Sequence, residues 1–337
     1  MNRSFFFKSF LLIVIVVSVF MSCFGDKDKD IPEVSNIKVD LKIRHFEKDL
    51  FTADTTDAIA AMTKLDSLYP DFFRSIYLSK IIPALQNPQI FSLFTRTPQI
   101  RHLYDTTMTV YGDFSELEKD FNNAFQFHQH YFPDQPVPEI ITFLSEYSIG
   151  NFVAEGQLGI GLDFFLGADY RGYNIEFFPG YIRRSMNRDH LVSKTMEAVA
   201  DDLVGEVEGD RLLDYMIHNG RKYYVLELLL PYTPDSIRWQ YTSKQVEWLK
   251  NNELQIWSHL IGEELLYATR YKDIRKLVDY SPNAPGMPPE APGRTANWVG
   301  YKIVEAYMKR NPEVTLEELI GIKSAQRIMD GSKYKPR

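Results

Sequence analysis

Ile37, Val39, Leu41 and Ile43 alternate with Lys38, Asp40, Lys42 and Arg44, the period-two pattern of a half-buried strand. From 57 to 85 the apolar positions recur at helical spacing, interrupted at Pro70 and again near Pro83. A further helix is predicted over 114–131, stopped by Pro133, Pro136 and Pro138. Residues 140–144 are rich in β-formers, and 151–167, with Gly156, Gly159 and Gly161 inside it, has the look of a partner strand and turn. A hairpin between these two segments is the expectation.

Beyond Pro179 the pattern is mostly helical. Leu191, Val192, Met196, Val199, Ala200, Leu203 and Val204 form one apolar face of a helix over 189–206. A second helix runs over 210–230 and is closed by Pro231. Thr242 with Gln245 makes a capping box that opens a long helix carrying Val246, Leu249, Ile256, Leu260 and Leu265. Five prolines and two glycines in 281–293 exclude any helix or central strand there. A helix restarts at Arg294 and runs through Met308; Thr315 with Glu318 caps the last one, which ends near Gly331. With no internal repeat and no break in composition, 37–337 is expected to be a single α+β domain. Its small, mainly antiparallel sheet would lie in the first half, with a predominantly helical second half packed against it.

The first 22 residues stand apart. Arg3 and Lys8 precede an apolar run over 10–21, too short for the roughly 20 residues that span a bilayer but right for a secretory signal. The run ends in Ser22-Cys23, a small residue before cysteine, as a lipoprotein signal peptidase requires; Phe20 stands where Leu or Val is more usual. The chain's one cysteine is spent here. Residues 1–22 are therefore expected to be cleaved, Cys23 to carry acyl chains, and 23–36 to be a polar tether between lipid and domain. This predicts a bacterial envelope protein, with the outer membrane as its expected site and the face, periplasmic or external, left open.

Composition narrows the function. At 45 % hydrophobic and 25 % charged residues, the chain is of ordinary globular type. A net charge of −7 without a basic stripe excludes nucleic acid as a partner. One cysteine excludes an internal disulfide framework and a cysteine-based zinc site. The 23 Phe and 20 Tyr supply a large core and material for a cleft.

Catalytic motifs are sparse. None of the seven histidines is followed by Glu, as a zinc peptidase helix requires. His128 and His130 are two apart and fall on different sides of a helix, and His259 with Glu263 is a lone pair at i, i+4. There is no Gly-x-Ser-x-Gly elbow. Gly156, Gly159 and Gly161 fit close strand packing better than a nucleotide-binding turn. Glu146, Glu155 and Asp163 would meet only if the hairpin brought them together. No cofactor or metal is expected. Arg294, Trp298 and Tyr301, at a helix start after the proline loop, are residue types enriched at recognition hot spots and are the candidate partner-binding set. The alternative is that Trp298 plugs the core while Arg294 pairs with a carboxylate.

Several blocks, in order, resemble one family. The lipobox at Cys23, the run from Gly159 to Tyr170, Arg211-Leu212-Leu213-Asp214-Tyr215-Met216-Ile217, Pro292-Gly293-Arg294 with Ile303-Val304 and Tyr307-Met308, and the ending Ser332-Lys333-Tyr334-Lys335-Pro336 are similar to the gliding-motility lipoprotein GldB family of Bacteroidetes. The resemblance covers essentially the whole mature chain. It implies a lipid-anchored envelope protein associated with gliding and with the secretion machinery linked to it. More distantly, the chain is similar to predicted zinc-dependent proteases through Leu212-Leu213-Asp214 and Gly300-Tyr301-Lys302-Ile303-Val304. It departs from them in lacking histidines on the helix around Met196 to Val204, and in having Asn219-Gly220 where Glu-Gly would stand. That resemblance implies a zincin-like scaffold without its metal motif, and no catalytic residue carries over. Three functions follow as expectations: a non-enzymatic partner-binding lipoprotein, a hydrolase with a rearranged site using His128, His130 or nearby carboxylates, and a receptor for a peptide or glycan.

Overall fold

The computed structural model describes residues 31–336. Ile31 to Asn36 belongs to an N-terminal unit and has no regular helix or strand among its described residues; the chain from Ile37 onward is a second, compact unit. Residues 1–22 and Cys23 lie outside the described residues.

The second unit is α+β. Its single sheet has four short strands, β1 (Ile43–His45), β2 (Glu139–Phe143), β3 (Asn151–Ala154) and β4 (Gln157–Gly161), in the order β1-β2-β4-β3. β1 pairs with β2 and β2 with β4 in parallel; only β3 and β4 are antiparallel. The sheet is mixed, which corrects the expectation of a mainly antiparallel one. The expected hairpin between 140–144 and 151–167 is also displaced, since the hairpin lies within 151–161 and β4 enters between β3 and β2. Its turn is legible locally: Glu155 and Gly156 have φ of 53° and 76°, the pair of left-handed residues that a two-residue type I′ turn needs. Parallel pairing needs a long crossover, which no short pattern announces. All of β4 and all but the first residue of β2 are buried, as central strands must be. At Gly159 a Cβ would run into the Phe152 ring on the neighbouring strand, so glycine here serves close packing. The alternating stretch before β1 contributes a single ladder bond, Ile140 N–H to Lys42 C=O at 2.8 Å, and only its end is a strand.

Between β1 and β2 the chain is helical too: α1 (Phe46–Thr52), α2 (Ala58–Leu68), a π-helical segment (Phe73–Ile81), α3 (Pro88–Phe94), α4 (Pro98–Tyr111) and α5 (Ser115–Tyr131). They enclose an aromatic core in which Phe46 meets Tyr69, Phe72 and Tyr77 at centroid distances of 5.2, 5.0 and 4.5 Å. After β4 come α6 (Arg188–Val204), α7 (Leu212–Leu229), α8 (Ser243–Asn251), α9 (Glu253–Gly262), α10 (Tyr271–Val278), α11 (Thr295–Arg310), α12 (Leu316–Gly321) and α13 (Ala325–Ser332). Both predicted capping boxes form, at Thr242 with Gln245 and at Thr315 with Glu318. The helix each one opens is shorter than predicted. The first breaks at Asn252, whose side chain donates to Trp248 C=O at 2.7 Å, and resumes as α9.

The central helix pair is α7 against α11. A Cβ on Gly220 would strike the Gly300 carbonyl, and one on Gly300 would strike the Met216 carbonyl. The two backbones touch because both crossing residues lack side chains. Asn219, beside the crossing, donates from Nδ2 to Asn297 Oδ1 at 3.0 Å, and Asn297 in turn donates to Val278 C=O at 2.8 Å. This packing fixes α7 and sets the position of α6, which lies against it.

Candidate functional site

Helical period places Lys194, Glu197, Ala198 and Asp201 along one face of α6, at i, i+3, i+4 and i+7. That face forms one wall of a pocket of about 240 Å³. Gly150 and Asn151 at the start of β3, Phe164 and Phe165 of the turn after β4, Lys222 of α7 and Tyr280 of the proline loop complete it. Sheet edge, helix pair and loop thus converge on one site.

Its polar groups differ in how well they are satisfied. Glu197 Oε2 accepts from Gln240 Nε2 at 2.6 Å and Oε1 from the Tyr223 hydroxyl at 3.3 Å. Lys222 bridges Glu197 and Asp201 at 3.5 and 3.4 Å. Gln240 Oε1 accepts from the Tyr280 hydroxyl at 2.6 Å, which turns this ring's polar end inward. Lys194 has less: its hydrogen-bond contact is Ser185 Oγ at 3.5 Å, and an ammonium has three protons to place. Burial pushes the Lys194 ammonium down to about 8, Glu197 pulling it up and Arg294 down. Across the pocket, Asn151 Oδ1 is buried without a hydrogen-bond partner. A cation with donors to spare and a residue with a buried, unpartnered acceptor thus both line the pocket.

A second hollow, of about 450 Å³, lies at the other sheet edge, walled by residues 41–45, Phe114, Glu118 and Glu139. Beneath it Thr142 Oγ1 donates to Glu47 Oε2 at 2.7 Å and meets His45 Nδ1 at 2.9 Å. Thr142 and Glu47 are buried and their bond ties β2 to α1, while His45 lines the hollow.

The sequence-predicted candidates sit elsewhere. Arg294, Trp298 and Tyr301 are 4 %, 2 % and 6 % exposed. Arg294 donates from Nη1 to the Tyr223 hydroxyl at 2.8 Å and from Nη2 to Trp239 C=O at 2.7 Å. Its guanidinium lies 4.1 Å from the Tyr280 ring centroid and 4.8 Å from that of Tyr241. Trp298 packs on Trp239 at 5.1 Å, and the Tyr301 hydroxyl donates to Glu227 at 2.7 Å. Trp298 fills the core, as the alternative reading had it, but Arg294 is held by a phenol, a carbonyl and aromatic faces instead of a carboxylate. It reaches the pocket indirectly, by bracing Tyr280 from behind.

His128 is buried against Phe125 and Phe132 while His130 is exposed, the opposite faces their spacing predicts. Asp163 meets neither Glu146 nor Glu155, which are exposed. It is fully buried and accepts from Tyr147 N–H at 2.7 Å and from Ser145 N–H at 3.2 Å. Among the described residues, no three His, Cys, Asp or Glu side chains come together as a metal site would need, and no helix is long and apolar enough to cross a membrane. Lys194, Glu197, Lys222, Asn151 and Tyr280 were missed by sequence reasoning. The available signal was faint: a lysine and a glutamate beside the apolar stripe of α6 usually indicate a solvated flank.

Comparison with known proteins supplies the context. No curated protein and no solved structure matches the chain. The family described as gliding motility protein GldB matches residues 27–336, which takes in the whole domain and every residue of the pocket. The chain belongs to the gliding-motility GldB family.

Proposed function

We propose that this protein is a non-enzymatic, lipid-anchored component of the outer membrane that supports gliding motility, and the secretion machinery linked to it, by binding partners. Family membership supplies the gliding context and the lipoprotein type; Cys23 at the end of the apolar leader is the anchor. The observation that carries partner binding is a loop beside the pocket. Phe178 packs edge-on against the pocket residue Phe164, at 5.7 Å and 90°, while its neighbours Phe177 and Ile175 are 73 % and 67 % exposed. Single exposed apolar residues are ordinary. Two within three positions, on a loop anchored to the wall of a pocket, present a contact surface that a partner chain would cover.

Replacing both residues, Ile175→Ser with Phe177→Ser, is expected to abolish colony spreading in a gliding strain lacking its own copy, with protein level and melting temperature unchanged. Normal spreading by a stably expressed double variant would remove the loop from the binding surface. The anchor has its own test. Cys23→Ala is expected to eliminate labelling by a clickable fatty acid and to release the protein from the membrane fraction; retained label in that variant defeats the assignment.

A further inference from the structure

We propose that the α6–β3 pocket is a receptor site for the C-terminal carboxylate of an extended peptide, with Lys194 as the group that takes the carboxylate. The inference rests on the partner-binding reading and deepens it by giving the chemistry of what is bound.

Three observations carry it. The first is the state of Lys194. Its neighbours Glu197 and Asp201 are engaged by Gln240, Tyr223 and Lys222, and the Lys194 ammonium, 5.7 Å from the Phe165 ring centroid, forms no ion pair with either. An enclosed cation with open donors beside a cavity favours an anionic occupant, because the charge-assisted bond forms where water is scarce. The second is Asn151 Oδ1, buried and without a partner. It accepts and cannot donate, so once the side chain turns into the pocket its match is an N–H, and a peptide end carries an amide N–H beside its carboxylate. Phe164 and Phe165 provide an apolar wall for the terminal side chain, and about 240 Å³ suits one residue of a chain rather than a folded element.

The third is the sheet edge. β3 pairs only with β4 among the described strands. The turn closes with Ala154 opposite Gln157, so Ala154 and Phe152 bond inward, and the backbone groups of Asn151 and Val153 point away from β4. An added strand would pair there and run into the pocket beside Asn151, the β-augmentation mode of peptide capture combined with recognition of the chain end. Lys194, Asn151 and the start of β3 thus bound one pocket, the three contacts that one peptide terminus would need.

The test uses the full-length protein in detergent micelles and an N-terminally labelled random pentapeptide pool, followed by fluorescence anisotropy. Three pools are compared: free carboxylate at the end, amidated end, and amidated end with glutamate at the central position. The free-acid pool is expected to bind about tenfold more tightly than the simple amide, the size of one charge-assisted bond. Lys194→Met is expected to bring the free-acid pool down to the amide level with an unchanged melting temperature, and Lys194→Arg to restore part of the preference. Glutamate-pool binding equal to that of the free acid would place the carboxylate on a side chain and overturn the chain-end assignment. Equal binding of all three pools, no binding at millimolar pool, or a preference untouched by Lys194→Met would overturn the site altogether. If the pocket fails in these ways while the Ile175/Phe177 variant still loses motility, the partner reading stands and only its peptide chemistry is wrong.

Discussion

Arg294→Ala is expected to destabilise the domain by about 3 kcal/mol or more, since it strands a buried carbonyl, strips a buried phenol of its donor and opens a cavity at once. The Trp239 carbonyl is left unsatisfied, at about 1–3 kcal/mol, while the Tyr223 hydroxyl loses its donor but keeps its own bond to Glu197 Oε1. Tyr280 and Tyr241 lose the cation packed between them. The residue's own backbone adds to the argument, because Arg294 holds φ of +64° at the head of α11, a left-handed conformation that costs a non-glycine residue of order 1–3 kcal/mol unless its surroundings enforce it. Here the two guanidinium bonds are the enforcement. Arg294→Lys is expected to rescue little, because a single ammonium cannot reproduce two diverging bonds from a planar fork. Denaturant unfolding of the three proteins checks this: an Arg294→Ala curve superimposable on the wild type would show that the cluster carries no stability. Any loss of motility in Arg294→Ala would then have to be judged against its folded fraction.

How much of this was legible depends on whether the signal was local. The capping boxes at Thr242 and Thr315 were read correctly because each is a contract between residues three apart. The helices α5, α6, α7 and α11 were visible because their apolar stripes span several turns. What failed was non-local. Nothing near Ile140 says that its neighbours are residues 43–45 on one side and Leu158 on the other, both parallel. The break at Asn252 was hidden because the apolar period carries on through α9.

The site shows the same division more sharply. Arg294 and Trp298 drew attention as residue types common at hot spots, and such types are equally suited to filling a core. Lys194, by contrast, is unremarkable in sequence, and its significance comes from being enclosed with Glu197 already taken. That depends on Gln240, Tyr223 and Lys222 arriving from elsewhere in the chain. The family match and the fold agree on the whole domain, and the chemistry of the pocket emerges only from the tertiary arrangement.

Mild acid is the other condition to which the domain should respond strongly. His128, His190 and His218 are 2 %, 8 % and 9 % exposed, and burial pushes all three down to about 4, aided at His218 by Arg221 and at His190 by Lys194. In the unfolded chain they return to about 6.5. Between those values the unfolded state binds protons that the folded state refuses, so stability falls as pH drops from about 6.5 towards 4. Asp163 works in the opposite sense. Burial raises it to about 6, against the bonds from Tyr147 and Ser145, so the folded state takes up its proton first and gains stability as pH falls from about 6 towards 4. Among these four buried groups, three protons against one leave a net uptake of about two on unfolding, or about 3 kcal/mol per pH unit in the middle of the window. A domain with ordinary stability of 5–15 kcal/mol would lose much of it by about pH 4.5. Melting temperature followed from pH 7 to 4.5 should therefore fall steeply below pH 6, and His128→Leu should make the fall shallower by one proton. A flat profile across that range would mean that the three imidazoles reach solvent and titrate normally in the folded protein.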